Sequence, residues 1–297
     1  MHVFVTGATG WIGSAVVNEF LGSGHEVTGL ARSQESAAVL EKKGARVWRG
    51  DLDDPAGLRA GADAAEAVVH LANKHDFADP AASDKAERAA VEAMLAALVG
   101  TGRPIVVANG LSGLVRGRPA TETDASPEVG PESDRGGSEN LALEHAAHGV
   151  RSMVVRFAPS VHGTGDWGFI NFLTAAAKRR GVSAYVADGS QAWSAVHRGD
   201  AARLIRLAVE GAPAGSRLHA VAEEAVLTRD IALAIGESLG LPVASVAPEH
   251  AMEHFGFVGA FFGMDMSATS TRTRGLLGWT PSGPTLLQDI RSGAYAG

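Results

Sequence analysis

The chain has 297 residues, of which 45% are hydrophobic and 20% charged, and this composition excludes disorder as its main state. It has no cysteine, so a disulfide scaffold, a thiolate zinc site, an iron–sulfur cluster and a cysteine nucleophile are all excluded. Its net charge of −7 does not suit a nucleic-acid binder, and no apolar run approaches the length of a bilayer span, so we expect a cytoplasmic globular protein.

Short apolar strands alternate with helical patterns through the first half of the chain. The β-branched run at 2–5 predicts the first strand, and the amphipathic stretch at 12–21 predicts the helix after it. Further strands are expected at 26–30, 46–48, 67–71, 105–108 and 153–157, and further helices at 33–43, 55–60, 81–99 and 137–147. Such alternation builds βαβ units, so we predict an α/β fold with a Rossmann-type, doubly wound parallel sheet.

The pattern changes after about residue 160. Helices are expected at 169–180, 200–210, 229–239 and 268–276, and shorter strands at 183–186, 217–221 and 242–246. We therefore predict a dinucleotide-binding Rossmann domain at 1–160 and a smaller mixed α/β C-terminal substrate domain at 161–297. The second domain would be partly interleaved with the first and packed over the carboxyl edge of the sheet. The polar stretch 113–135 is predicted to be a lid-like loop.

A glycine-rich turn follows the first strand directly and opens the first helix. It reads TGATGWIG over residues 6–13, with Gly7, Gly10 and Gly13 three residues apart. Gly7 permits the tight turn, Gly10 lets the backbone approach a pyrophosphate, and Gly13 lets the helix pack closely on the strand. This context favours dinucleotide binding over a plain glycine-rich turn. The residues predicted to hold the diphosphate are Gly7, Thr9, Gly10, Trp11, Ile12 and Gly13.

The residues after the second and third strands indicate which dinucleotide binds. Arg32 and Ser33 stand where an NAD-binding protein would place a carboxylate for the ribose hydroxyls. Arginine suits a 2′-phosphate, so we predict NADP (NADPH) as the cofactor, although a solvated surface arginine is the alternative. Asp51 and Leu52 would hold the adenine edge, although Asp51 could instead cap the next helix.

Further motifs follow in order along the chain. They are GDLDD at 50–54, HLAN at 70–73, RFAPSVHG at 156–163, VHRGDAA at 196–202 and LGWTP at 277–281. With the TGATGWIG turn, they resemble the short-chain dehydrogenase/reductase superfamily, in its extended (NAD-dependent epimerase-like) or atypical branch. The resemblance covers nearly the whole chain. Among such relatives the chain is most similar to antibiotic-tailoring polyketide ketoreductases, of the simocyclinone-type angucyclinone kind.

The resemblance implies cofactor-binding residues beyond the first turn. Residues 71–73 would line the pyrophosphate and the nicotinamide ribose, and residues 159–161 would hold the carboxamide. The end of the fifth strand would contribute a further contact. The implied residues are Leu71, Ala72, Asn73, Asn109, Pro159, Ser160 and Val161.

The catalytic part of this family's pattern is missing. Ordinary members use a tyrosine as general acid, with a lysine four residues later that lowers the pKa of the tyrosine. Tyr185 has Gly189 at that spacing, and Tyr295 lies too near the end, so the chain contains no YxxxK. The usual tyrosine and lysine positions align with Arg135 and Glu139.

Neither residue can replace the missing pair directly. Arg135 does not release a proton near neutrality, so it would either stabilise negative charge or begin a helix in solvent. Glu139 would either accept from ribose hydroxyls or face solvent. Where the family has a serine at the end of the fifth strand, this chain has Asn109 or Gly110, and the nearest hydroxyl belongs to Ser112.

Three sources remain for the proton that the product oxygen needs. An ordered water could supply it, or a phenol beside the ketone of an aromatic substrate could supply it internally. A side chain could also be recruited, in which case a serine would orient the carbonyl and a histidine would donate. The candidate catalytic residues are Ser112, Asn109, His75 and Ser138, with His162 as a further histidine.

Aromatic residues concentrate in the second half of the chain. One group is Trp167, Phe169, Phe172 and Trp193, and another is Phe255, Phe257, Phe261, Phe262 and Met264. They would form either a wall for a flat aromatic ligand or ordinary core. The group His197, Arg198 and Asp200 predicts a buried structural network, and the histidines show no metal-ligand spacing.

We therefore predict an NADPH-dependent ketoreductase that reduces an aromatic polyketide-like ketone, with the proton coming from a substrate phenol or from water. One alternative is a non-catalytic NADP-binding redox sensor, because the catalytic pair is lost. A sugar-nucleotide epimerase or dehydratase is another, although it would need the missing tyrosinate base. The expected partner is a small-molecule ketone rather than nucleic acid or membrane, and the helical surface would allow a homodimer.

Overall fold

The computed structural model describes residues 1–74 and 79–295. The first half of the chain forms β1 His2–Thr6, α1 Trp11–Gly22, β2 Glu26–Ala31, α2 Gln34–Lys42, β3 Arg46–Arg49, α3 Pro55–Asp63, β4 Ala67–His70, α4 Pro80–Leu98, β5 Pro104–Gly110, α5 Ser138–Glu144 and β6 Arg151–Phe157. The second half forms β7 Ser160–His162, α6 Phe169–Arg180, β8 Ser183–Val186, β9 Ala192–His197, α7 Arg198–Gly211, β10 Ser216–Ala220, β11 Glu223–Leu227, α8 Thr228–Leu239, β12 Val243–Val246, α9 Ala251–Phe255, α10 Gly259–Phe262, α11 Thr271–Leu277 and α12 Leu286–Arg291.

A seven-stranded sheet dominates the first part of the molecule. Its strand order is β10-β6-β5-β4-β1-β2-β3, and every neighbouring pair is parallel. The direction of winding reverses between β1 and β4, and in such sheets a crevice opens there at the carboxyl ends of the strands. The predicted α/β, Rossmann-type doubly wound sheet is confirmed.

Both faces of this sheet are buried, because successive side chains of a strand point to opposite sides. On β1, Val3 and Val5 pack into one core and Phe4 into the other, and Val155 and Val154 divide in the same way on β6. Helices α1, α2 and α7 cover the first face, whereas α3, α4 and α5 cover the second. The two cores hold the strand ends, and the loops that follow them, in fixed positions.

Short polar side chains set the starts of the helices around the crevice. Asp54 caps α3 by accepting from the Gly57 amide at 2.9 Å, and Asp79 and Ser33 cap α4 and α2 in the same way. Such a cap typically contributes about 1 kcal/mol. The alternative in which Asp51 caps the following helix is therefore wrong.

The second half of the chain packs over the carboxyl edge of the sheet. Strands β11, β9 and β7 form a small mixed sheet, and β8 pairs with β12. The chain also returns to the large sheet, because α7 packs on α1 and β10 pairs with β6. The segments predicted at 200–210 and 217–221 therefore belong to the Rossmann layer rather than to the smaller part, and the domain boundary near 160 stays a prediction.

The loop between β5 and the turn at Asp134–Gly137 contains no helix and no β-strand. It is anchored by side chains that reach it from the sheet layer. Asn140 donates to the carbonyls of Ser126 and Glu128, and Arg156 donates to the carbonyl of Asp124 at 2.8 Å. The lid movement expected for 113–135 stays a prediction. In the described parts of the chain, no helix is both long and apolar enough to span a membrane.

Candidate functional site

The turn after β1 brings three stretches of backbone into close contact. A Cβ on Gly13 would lie 2.0 Å from the Gly7 carbonyl oxygen, and a Cβ on Gly7 would lie 2.7 Å from the Ala72 nitrogen. Gly7 also has a φ of +65°, which side chains rarely tolerate. At the N-cap of α1, Gly10 has no side chain to occupy the first amides of the helix, which can therefore hold an anion. The turn thus fits the diphosphate of a dinucleotide.

A cavity of about 620 Å³ opens over this turn, at the carboxyl edge of the sheet. Its wall includes the predicted residues Gly7, Thr9, Gly10, Trp11, Ile12, Gly13, Arg32, Asp51, Leu52, Leu71, Ala72, Asn73, Asn109, Pro159, Ser160 and Val161. Ser33 is the exception among the predicted cofactor residues, because its hydroxyl caps α2 and Ser36 lines the wall instead. The fold therefore gathers into one cavity residues that lie far apart in the sequence.

Arg32 and Asp51 lie together at one end of the cavity. The Arg32 Nε is 3.9 Å from the Asp51 Oδ2, and the Arg32 side chain is 82% exposed. Such an exposed pair contributes little free energy, so the guanidinium can turn to a ligand phosphate. Arg49 adds positive charge beside them, donating to the Ser33 carbonyl oxygen at 2.7 Å.

Thr6, which the sequence did not single out, fixes the backbone that follows β4. Its hydroxyl accepts from the amides of Leu71 and Ala72 at 3.2 and 3.3 Å. The same oxygen lies 2.7 Å from the Nδ1 of His70, which is fully buried. Thr6 thus holds the HLAN segment against the glycine turn.

Glu87 of α4, which the sequence analysis did not identify either, lies under the cavity and carries the buried charge of the site. Its Oε1 accepts from the Arg135 Nη2 at 2.8 Å and its Oε2 from the Asn73 Nδ2 at 3.2 Å, while the His70 Nε2 is 3.7 Å away. Burial alone would raise the pKa of Glu87, but the charge of Arg135, the nearby His70 ring and the hydrogen bond from Asn73 together lower it to about 2. Glu87 is therefore ionised and holds Arg135 and Asn73 at the cavity wall.

Stability at low pH should depend on Glu87. Its folded-state pKa of about 2 is below the ordinary 4.5, so its contribution is complete above the unfolded value and disappears as pH falls from about 4.5 towards 2. The shift corresponds to about 3 kcal/mol. We expect Glu87→Gln to lose markedly less stability than the wild type between about pH 5 and pH 3, measured by urea unfolding. Glu92→Gln, at an exposed position of the same helix, should behave like the wild type, and equal losses in all three proteins would contradict the prediction.

Glu139, at the usual lysine position, neither faces solvent nor lines the cavity, so both expectations for it are wrong. It is 3% exposed and accepts from the Arg156 Nε at 3.0 Å, with a second bond from the Arg156 Nη2. It also accepts from the Asn109 Nδ2 at 2.6 Å, and the Asn109 Oδ1 accepts from the Gly110 amide. A buried ion pair between α5 and β6 therefore orients the amide of Asn109 at the cavity wall.

Arg135, at the usual tyrosine position, lines the cavity and is not a solvated helix start. Its side chain is 30% exposed and paired with Glu87, and its φ is +54°. This left-handed backbone, continued by Gly136 and Gly137, turns the chain into α5 and places the guanidinium over the cavity. A fixed guanidinium can stabilise negative charge on a substrate oxygen.

Three of the other candidate catalytic side chains, those of Ser112, Ser138 and His162, do not line the cavity. Ser112 is exposed, Ser138 is buried with its hydroxyl donating to the Arg135 carbonyl at 2.7 Å, and His162 is buried against Asp289 at 2.6 Å. His75 lies outside the described residues. Of the four predicted catalytic residues, Asn109 is the one that the described structure places at the wall.

Asp166 is an acidic wall residue that the sequence did not single out. It follows β7, is 8% exposed and accepts from the Gly168 amide at 2.6 Å. Its Oδ2 also accepts from the hydroxyl of Tyr295 at 2.9 Å. No local pattern could indicate this pair, because the two residues lie 129 positions apart.

The aromatic residues divide between the core and the cavity wall, and the flat aromatic ligand expected at that wall stays a prediction. Trp193, Phe255 and Phe262 are buried in the core of the smaller part. Trp167 and Phe169 line the cavity, and the ring centroids of Phe169 and Phe261 stack 5.3 Å apart. One rim of the cavity is therefore aromatic.

The predicted network of His197, Arg198 and Asp200 is only partly present. Asp200 is buried and accepts from the amides at 282 and 283. Arg198 instead lies over the ring of Trp11, 4.0 Å from its centroid, and Trp11 donates to the Val161 carbonyl at 2.7 Å. Within residues 1–74 and 79–295, no group of three acidic or histidine side chains could hold a metal ion.

The fold and the glycine turn agree with a known protein family. The model of the family described as "NAD dependent epimerase/dehydratase family" matches residues 3–220, which include the turn, the HLAN segment and the strands of the large sheet. The chain belongs to the NAD dependent epimerase/dehydratase family. The extended short-chain dehydrogenase/reductase character expected from the motifs is thereby confirmed.

Relatives of this family show how far the similarity reaches. An uncharacterized protein of Schizosaccharomyces pombe is 42% identical over 296 residues, 99% of this chain and 100% of that protein. A 4-hydroxy-2-methyl-3-oxo-4-farnesyl-3,4-dihydroquinoline-1-oxide ketoreductase of Stigmatella aurantiaca is 26% identical over 223 residues, 72% of this chain and 66% of that protein. The structure of dTDP-glucose 4,6-dehydratase from Streptomyces venezuelae with NAD bound has a TM-score of 0.78 at 21% identity, covering 99% of this chain and 96% of that one. The last similarity shows a shared fold.

Proposed function

We propose that this protein is an NADPH-dependent ketoreductase that reduces a ketone of an aromatic, polyketide-like small molecule, as in antibiotic tailoring. The observation that carries the proposal is Arg135, fixed by Glu87 at the cavity wall where ordinary relatives have their catalytic tyrosine. The glycine turn, whose contacts leave no room for a Cβ at Gly7 or Gly13, fits the dinucleotide. The ketoreductase from Stigmatella aurantiaca supports the reaction class.

The wall residues have distinct tasks in this reaction. The bound cofactor supplies the hydride. Arg135 and Asn109 stabilise the negative charge that develops on the ketone oxygen, and each is oriented by a buried carboxylate, Glu87 or Glu139. Because neither group is a practical acid, the proton comes from a phenol of the substrate or from water.

The aromatic rim supports a flat, apolar substrate. Trp167 is 56% exposed, and the ring of Phe169, which also lines the cavity, contacts the rings of Phe257 and Phe261. The wall segment 166–169 contributes an acid and two aromatic rings but no lysine or arginine. A sugar nucleotide would need cationic or amide partners for its diphosphate, so this wall suits an aromatic ketone better.

A turnover assay tests the proposal. NADPH and NADH are offered separately with aromatic ketones and quinones, half of which carry a phenol beside the carbonyl and half the O-methyl ether. We expect oxidation of NADPH and formation of the alcohol. Reaction of the phenols alone would identify the internal proton donor, whereas equal rates on both halves would exclude it.

A redox-sensing role is the second candidate, and the absence of any YxxxK in the sequence favours it. Such a protein binds NADP and NADPH with different affinities and oxidises nothing. Saturable NADPH binding without turnover across the panel would support the sensor and contradict the ketoreductase. An epimerase or dehydratase role is disfavoured because it needs a base to take a hydroxyl proton, and the homodimer and the ketone partner stay proposals.

Cofactor preference should depend on Arg32. Loss of a charge-assisted bond to the 2′-phosphate should weaken NADPH binding by about 10–100-fold in Arg32→Ala and leave NADH binding within about threefold. The measurement is a fluorescence titration with each cofactor. Arg46→Ala, which removes an exposed arginine paired with Glu26 on the neighbouring strands, is the control. Equal weakening for both cofactors would contradict NADPH selection by Arg32.

A further inference from the structure

Asp166 lies at the half of the cavity where the ketone would be reduced. It belongs to the loop after β7 and lines the cavity with Pro159 and Val161, which follow β6. In the large sheet β6 is the neighbour of β5, the strand that carries Asn109. The other carboxylate of the wall, Asp51, lies beside Arg32 and follows β3, and β2 and β3 are on the other side of β1 from β5 and β6. Asp166 is therefore the one acid among the described wall residues that the fold places on this side.

The surroundings of Asp166 both shield and orient its carboxyl group. The Tyr295 hydroxyl donates to Oδ2 and the Gly168 amide to Oδ1, which leaves further lone pairs on both oxygens. Burial raises the pKa of Asp166 despite these two bonds and the charge of Arg198. Burial, together with the Asp166 carboxylate, also raises the pKa of Tyr295, so the phenol stays protonated and continues to donate.

Other titratable groups lie one layer further out. Asp289 faces Tyr295 and is bonded to the buried His162. His197 lies beside Gly163, within 3.4 Å of where a Cβ on that glycine would be. A change of charge on these groups would alter the pKa of Asp166 through Tyr295 or Arg198 rather than by direct contact.

We propose that Asp166 is the acid that passes a proton from water to the product oxygen in the reduction proposed above, and that Tyr295 positions its carboxyl group. The inference rests on that proposed function. It names the route of the proton when the substrate has no phenol to supply one.

The step balances as one hydride and one proton for each ketone. The ketone carbon gains the hydride supplied by NADPH, and the π pair of the C=O bond moves to oxygen. That oxygen takes the proton of Asp166, whose O–H bond breaks and leaves a carboxylate. A proton from bulk solvent then returns to Asp166 by way of water at the mouth of the cavity, so each turnover consumes one solvent proton.

Other groups on this wall are less suited to the task. The Arg135 guanidinium does not release its proton. The buried hydroxyl of Ser160 has no hydrogen-bond partner among the described residues, but an alcohol is too weak an acid to act alone. The Lys74 ammonium is held by Asp53 at 2.6 Å.

The first test is a titration of the protein without cofactor. Aspartate labelled with ¹³C in the carboxyl group is followed by NMR across pH, and Asp166→Asn assigns the signal. We expect a titration above the ordinary aspartate range. Tyr295→Phe should move it higher still, because the lost hydrogen bond stabilised the charged form. A signal at the ordinary value, unmoved in Tyr295→Phe, would overturn the proposal.

The second test measures the pH dependence of turnover with a ketone that has no phenol. Because the protonated acid reacts, kcat should fall as pH rises through the pKa of Asp166, and Tyr295→Phe should shift this fall to higher pH. Asp166→Asn should lower kcat by about 10²–10⁴-fold and remove the fall, whereas Asp166→Glu should restore part of the rate. Asp63→Asn, at an exposed position on α3, is the control.

The outcomes separate this inference from the function on which it rests. Wild-type turnover with an unchanged rate and pH profile in Asp166→Asn would overturn the role of Asp166 alone. A wild type that oxidises no NADPH with any ketone would overturn both. Loss of NADPH binding in Asp166→Asn, measured by fluorescence, would indicate a structural role and also overturn the proposed proton transfer.

Discussion

Arg135→Ala should lower kcat for ketone reduction by about 10²–10³-fold, the usual cost of removing one donor to a developing oxyanion. Arg135 lines the cavity and is held by Glu87 at 2.8 Å, so its loss removes a charge aimed at the substrate. NADPH affinity should change little, because the glycine turn is untouched. The measurement is steady-state kinetics with a fluorescence titration of NADPH on the same preparations.

The Arg135→Ala variant also leaves the buried Glu87 without its strongest partner, which by itself costs about 3–5 kcal/mol. The double variant Arg135→Ala/Glu87→Gln removes both charges and should recover most of this stability without recovering turnover. Arg135→Lys keeps a charge but loses the planar fork, and should retain an intermediate rate. Recovery of turnover in the double variant would show that Arg135 acts only through stability and would contradict its role on the oxygen.

Gly13→Ala should abolish dinucleotide binding. The added Cβ would lie 2.0 Å from the Gly7 carbonyl oxygen and 2.7 Å from the Gly7 carbonyl carbon, and both atoms belong to backbone that cannot move without opening the turn. We expect NADPH binding to weaken by more than about 100-fold and the protein to lose stability, as for other severe core clashes. Fluorescence titration and urea unfolding measure the two effects.

Gly22→Ala is the matched control in the same helix. A Cβ at Gly22 meets nothing within 4 Å, so alanine should be neutral or stabilise the helix by up to about 1 kcal/mol. If Gly13→Ala binds NADPH as well as Gly22→Ala does, the close packing of α1 on the turn is not what holds the cofactor.

The cofactor end of the site could be predicted because its signals are local. The turn at 6–13 combines the end of a strand, three glycines and the start of a helix within eight residues, and each has one physical reason to be there. The alternation of short strands and helices likewise predicts the parallel sheet. Small elements such as β7 and α12 were missed, since short segments with mixed composition carry little periodic signal.

The catalytic end could not be predicted in the same way, because its contacts join distant positions. The sequence predicts Glu139 in solvent or on a ribose, but its ion pair with Arg156, 17 residues later, holds it in a buried position. Glu87 and Arg135 lie 48 residues apart, and only the packing of the loop on α4 brings them together. A carboxylate that serves as a buried anchor has no sequence pattern different from one in solvent.

Transfer of deuterium from [4-²H]NADPH to the alcohol tests the central claim most directly. Both C4 positions are labelled in separate preparations, and the product of an aromatic ketone is examined by mass spectrometry and NMR. We expect one of the two labels to appear at the carbinol carbon with wild type and to be lost in Arg135→Ala in proportion to kcat. An alcohol formed without label, or binding of NADPH with no labelled product from any ketone, would contradict a hydride-transferring reductase built around Arg135.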